Sequence, residues 1–184
     1  MKLGITAAVA LAFGAVLTAP AIGASGGGAP TLHFHEDVAD VDSNFCDTGR
    51  TVLVDGRING VSWVGETGGS LQEIKVNFNS RVTLTNPATG RSVIDSVAAQ
   101  FNDRVVVGQE SGPHTHQSTV HGLPEKLQSA DGRLLIRDAG TLTYRISFDA
   151  DDNEIGFDVV RDSGHHEGFM SDRWCQVATA ELGL

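Results

Sequence analysis

From Ile74 to Leu84 the chain alternates without interruption. Ile74, Val76, Phe78, Ser80, Val82 and Leu84 fall on one side, and Glu73, Lys75, Asn77, Asn79, Arg81 and Thr83 on the other. Successive side chains of a strand point to opposite faces, so a period of two over this length specifies a long strand with one face buried and the other in water. A helix would scatter the same residues around its circumference. A second stretch repeats the pattern, with Val93, Asp95, Val97, Ala99 and Phe101 on one face. A third sets Leu142, Tyr144, Ile146 and Phe148 against Thr143, Arg145 and Ser147.

Shorter runs complete the set: Thr51–Ile58, Val61–Val64, His114–His121, Arg133–Arg137 and Glu154–Arg161, the last with Ile155, Phe157 and Val159 as its buried face. Turn chemistry separates them. Asn59-Gly60 has the composition of a two-residue hairpin turn. Asn86-Pro87-Ala88-Thr89-Gly90 places proline where φ is fixed and glycine where a left-handed residue is needed. Helical periodicity is confined to Trp174–Leu182. The predicted fold is all-β, a single antiparallel β-barrel of about eight or more strands. A two-sheet sandwich is the alternative, and the barrel is preferred because closure removes the long exposed edges such strands would present.

The first residues have a different character. Lys2, the apolar run Leu3–Leu17 and small residues ending at Ala24 make a signal peptide over residues 1–24. The expected product is secreted. No later stretch has the length of a membrane span, so no membrane insertion is expected. Residues 25–44, rich in Gly, Ser, Ala and Asp, read as a flexible N-terminal segment, and residues 45–184 as one barrel domain. The two cysteines, Cys46 and Cys175, lie near opposite ends of that domain. In an oxidising compartment they predict one disulfide, and closing so long a loop stabilises the fold by roughly 4–5 kcal/mol in the chain-entropy picture. With 23 carboxylates against 13 Lys and Arg the formal charge is −10. Such a surface repels phosphate backbones and anionic headgroups, so no nucleic acid partner is expected.

The sequence Gly122-Leu123-Pro124-Glu125-Lys126, the later Arg137-Asp138-Ala139-Gly140, the Asn86–Gly90 hairpin and one cysteine near each end resemble a group of small exported bacterial β proteins. These proteins carry GLPEK-like, RDAG-like and NPxTG elements. The resemblance implies a shared scaffold with turns at these motifs, and no activity. One departure stands out: where an apolar alternating strand is expected before GLPEK, this chain has His114-Thr115-His116-Gln117-Ser118-Thr119-Val120-His121. If Val120 points inward, Ser118, His116 and His114 point inward with it.

Three readings of function follow. A barrel whose interior or mouth binds a small apolar or amphipathic ligand is the first, the histidine strand making part of the cavity polar. The second is a barrel enzyme of cyclase or isomerase type with Asp95 or a histidine as acid or base. Asp95 earns attention because its register aims a carboxyl among Val93, Val97 and Phe101. The third is an extracellular metal-binding protein. His114 and His116 lie about 7 Å apart along one strand face and, with His121, are candidate ligands for a divalent metal, with Asp95, Asp162 or Glu167 as a further donor. His33 with His35 and His165 with His166 are weaker clusters. Asp149–Asn153 fails as a calcium loop, since Glu154 stands where glycine is needed and Val160 where a bidentate Glu belongs, leaving an acidic turn.

Overall fold

The computed structural model describes residues 31–67, 71–108, 112–168 and 171–184. The predicted signal peptide, residues 1–24, lies outside them. Seven strands run in chain order: β1 (Thr31–Asp42), β2 (Val52–Thr67), β3 (Leu71–Thr85), β4 (Ser92–Gly108), β5 (His114–Ser129), β6 (Leu134–Phe148) and β7 (Glu154–His165). Each pairs antiparallel with the next, giving one sheet of order β1-β2-β3-β4-β5-β6-β7. A 3-10 turn at Phe45–Asp47 joins β1 to β2, and one helix, α1 (Arg173–Leu182), follows the sheet. No helix among the described residues is long and apolar enough to cross a membrane.

The fold is all-β and barrel-like, as the alternation predicts, with seven strands among the described residues rather than eight or more. The count falls because predicted breaks are continuous strand. Asn59 and Gly60 lie in the middle of β2, paired to β1 through His35 and Phe34. Their hairpin signal is overridden because Gly60 serves packing: a Cβ there would lie 2.3 Å from the Phe34 ring. The GLPEK and RDAG sequences are likewise not turns. They face each other inside β5 and β6, with Gly122 opposite Gly140 and Glu125 opposite Asp138. β1 occupies much of the stretch read as flexible, pairing along its whole length from Thr31↔Trp63 to Asp42↔Val52.

A single meander has no second sheet to cover its apolar face, so it curls over it. Ile58, Val76, Phe78, Val97, Phe101, Val120, Leu142 and Tyr144 form one buried cluster, with Phe34 and Val38 of β1 and Phe157 of β7 packed against it. α1 belongs to a second cluster, where Trp174, Ala178 and Leu182 lie over Val52, Val54, Val82, Leu84, Val93, Leu127 and Ile136. Between the clusters runs a line of glycines. Gly122, Gly140 and Gly164 are register partners across β5, β6 and β7 and take φ of 107°, 132° and 136°. A Cβ on Gly140 would stand 2.2 Å from the Ser163 carbonyl oxygen, and one on Gly164 2.1 Å from that of Ala139. Only glycine allows this conformation and approach, and the line lets the sheet bend toward the helix.

The cystine Cys46–Cys175 forms as predicted, tying the β1–β2 connection to α1 across a sequence separation of 129. Phe45 beside it packs on Trp174 with ring centres 5.8 Å apart. The predicted inward face of β7 is corrected. Ile155 and Val159 are exposed and Phe157 is half-buried, because β7 is an edge strand and its pairing with β6 slips at Val159–Arg161 and again at Glu154–Gly156.

The glycine line gives a direct test. Gly140→Ala adds both a left-handed strain and a backbone clash, and should lower unfolding free energy by about 2 kcal/mol or more. Gly132→Ala, at φ 87° with open space around it, carries the strain alone and should lose about half as much. Equal losses in denaturant melts would mean that close strand approach at Gly140 is not what requires glycine.

Candidate functional site

Inward parity along β5 carries His114, Ser118 and Val120 into the interior as the sequence anticipates, with His116 on the same face and half-buried. The neighbouring strands complete the row. Ser118 stands opposite Asp103 of β4 and Tyr144 of β6, His116 opposite Val105 and Ile146, and His114 opposite Gly108 and Phe148. Asp103 is the next inward position two residues after Phe101, at the start of the stretch Asp103–Val107 in which the sequence continues or restarts the strand, and in the structure it is one continuous β4.

Asp103 is the hub of this constellation. One carboxylate oxygen is 2.6 Å from His116 Nδ1, and the other accepts the Ser118 hydroxyl at 2.5 Å. Tyr144 is buried beyond Ser118. Burial pushes its hydroxyl up to about 12; the Ser118 hydrogen bond opposes that shift, and the Asp103 charge adds to it. His114 stacks on Phe148 with ring centres 5.1 Å apart and bonds through Nδ1 to the Gly112 carbonyl at 2.7 Å. His116 meets both rings edge-on, 5.0 Å from His114 and 5.7 Å from Phe148. A carboxylate on Nδ1 holds the imidazole ring in one orientation. The His116 and Asp103 side chains keep 22% and 14% of their exposure, so solvent reaches the pair. Ser118 is engaged by Asp103 rather than by an imidazole, which is the geometry of an oriented base and not of a serine nucleophile.

His121 does not join this group. It lies exposed on the outer face, its Nδ1 bonded to Thr141 Oγ1 at 2.9 Å. His33 and His35 are also exposed, and His165 is exposed while His166 is buried, adjacent residues facing opposite ways. Among the described residues no three His, Cys, Asp or Glu side chains gather as a metal site. Asp149 accepts backbone N–H bonds from Asp151 and Asn153 at 2.9 and 3.0 Å, which closes the acidic turn and holds its carboxyl below the ordinary value.

Asp95 is inward and 2% exposed, as its register predicts, but it sits in the other cluster, between Val82 and Leu127 and near α1. Burial raises its carboxyl to about 7, opposed by the Ser96 amide and the Trp174 indole. The indole nitrogen does not reach hydrogen-bond geometry, and Asp95 Oδ1 has no hydrogen-bond partner. Two further acids share this region, Glu125 and Asp138, both fully buried and directly opposed. The Gly168 amide caps Asp138 Oδ1 at 3.0 Å, and a Cβ on Gly168 would lie 3.2 Å from Asp138 and 3.3 Å from Glu125. The same Cβ would lie 2.9 Å from Ile136 Cγ2, so a side chain at this position would push on both the acids and the core. Treating GLPEK and RDAG as turns concealed this pair.

Comparison with protein-family models, curated proteins and solved structures finds no match to this chain.

Two titrations follow. Tyr144 is the only tyrosine, so tyrosinate absorbance reports it alone. Its midpoint should lie near 12, and a midpoint near 10 would remove Tyr144 from the buried row. A neutral Asp95 contributes stability that is complete below about pH 4 and lost as pH rises to about 7, so wild type should lose on the order of a few kcal/mol relative to Asp95→Asn across that window. A pH-independent difference between the two would place Asp95 in contact with water.

Proposed function

We propose that the protein is exported and binds a small amphipathic molecule at the end of the sheet formed by His114, His116, Ile146 and Phe148. The observation that carries this reading is the Asp103–His116 pair, a solvent-reachable imidazole held in one orientation beside an aromatic wall. The His116 imidazole, held by Asp103, offers a polar contact to a ligand hydroxyl, while Phe148 and Ile146 offer apolar surface to the rest of the ligand. The signal-like first 24 residues and the cystine support export.

A second reading, general acid–base chemistry of cyclase or isomerase type, draws on the same pair. An imidazole oriented by a carboxylate is a proton acceptor in place, and Ser118 with Tyr144 supplies neutral hydroxyls on the adjacent strands. A metal reading of His114 and His116 needs a third donor, and elemental analysis of natively purified protein tests it.

The binding reading is tested with para-cresol and octanol as probes, followed through the imidazole NMR signals of His114 and His116. Saturable shifts are expected in wild type, with affinity reduced about tenfold or more in His116→Ala and several-fold in Phe148→Ala. Saturation that leaves both imidazoles unmoved, or unchanged affinity in His116→Ala, would contradict it.

A further inference from the structure

The outer face of the sheet carries a second feature. A shallow, open groove of about 740 Å³ crosses it, with His33, Asn77, Asn79, Gln100 and His121 as its polar side chains and Val61 and the sheet floor around Ala98, Ala99 and Gly122 as its apolar part. Its side chains form a ladder across the strands. His33 pairs with Val61, Val61 with Asn77, Asn77 with Gln100, Gln100 with His121, and His121 with Thr141. One side chain is therefore presented per strand at a spacing of about 4.7–4.9 Å. A parallel row adds His35, Asn59 and Asn79, with His35 bonded to Asn59 and Asn59 donating to Asn79 at 3.4 Å.

The chemistry of this lining is selective. On a chain of charge −10, no lining side chain carries a fixed charge. Lys75 and Arg81 lie on flanking rows, and Lys75 is paired with Glu73. An anionic ligand would meet no cation inside the groove and an opposing field around it. An apolar ligand would cover the exposed amides of Asn77 and Gln100 without replacing their hydrogen bonds with water, at about 1–3 kcal/mol for each group left unpaired. Each of these amides has donors on one atom and an acceptor on the other, as imidazole does across its ring. Neighbouring hydroxyls on a sugar ring, which donate and accept in turn, satisfy both.

We infer that this groove binds an uncharged oligosaccharide laid across the strands, with Asn77 and Gln100 as its central contacts and Asn79, His33 and His121 around them. The strand spacing is close to the length of one hexose in an extended glycan, so β3, β4 and β5 each contribute one polar side chain per sugar through Asn77, Gln100 and His121, while Val61 of β2 offers an apolar contact between Asn77 and His33. The site is on the opposite face from His116 and stands independently of the ligand proposed there.

The test titrates the full mature chain with cellohexaose, maltohexaose, xylohexaose and chitohexaose, watching the side-chain amide signals of Asn77, Asn79 and Gln100. At least one hexaose should give saturable shifts at these amides. The double variant Asn77→Ala with Gln100→Ala, both exposed positions, should weaken binding at least tenfold. Ala98→Arg, which fills the groove from the position opposite Asn79 and leaves Asn77 and Gln100 in place, should do the same, and His116→Ala should bind as wild type does. Absence of shifts with all four, binding that survives the double variant, or tighter binding of an oligogalacturonate would overturn the inference.

Discussion

One antiparallel meander with one apolar face has to bury that face with what the chain itself provides. Over the first cluster the sheet curls, so that Ile58, Phe101 and Leu142 are buried with Phe34 of β1 and Phe157 of β7 packed against the cluster. Over the second the helix does the covering, and the cystine fixes where the helix can lie. The glycine line at Gly122, Gly140 and Gly164 lets one sheet adopt both arrangements. The devices act together: the helix lies over Val82, Leu127 and their neighbours with Trp174 beside Asp95, and the Gly168 backbone ahead of it covers Glu125 and Asp138.

That frame sorts the inward polar groups into two kinds. Asp95, Glu125 and Asp138 are sealed from solvent, and burial raises the Asp95 carboxyl. Asp103, His116, Ser118 and Tyr144 form a connected row that water reaches at His116. Chemistry with an outside molecule belongs to the second kind, since a ligand must arrive without unfolding the sheet. The outer ladder of amides and imidazoles differs from both. It is open, uncharged and regular, and its regularity is that of the strands beneath it.

Much of this was legible in the sequence where burial is one-sided. The faces of β3 and β4, the Asn86–Gly90 turn, the helix and the cystine follow from alternation, turn residues and compartment, because there local preference and tertiary packing agree. The failures lie where glycine has a long-range purpose. Gly60 reads as a turn and is a place for the Phe34 ring. Gly122 and Gly140 read as strand ends and are a bend within strands. The inward histidines of β5 were visible from parity, yet their partner Asp103 depends on a register between strands that one strand cannot reveal. The Glu125–Asp138 pair was hidden for the same reason.

Register is therefore the claim on which the account rests, and Cα-proton NOEs across β4, β5 and β6 measure it directly. The structure places Ser118 opposite both Asp103 and Tyr144. Contacts linking those three residues are expected. A pattern pairing Ser118 with Asn102 or Arg104 of β4 would shift β4 against β5, separate His116 from Asp103, and contradict the account.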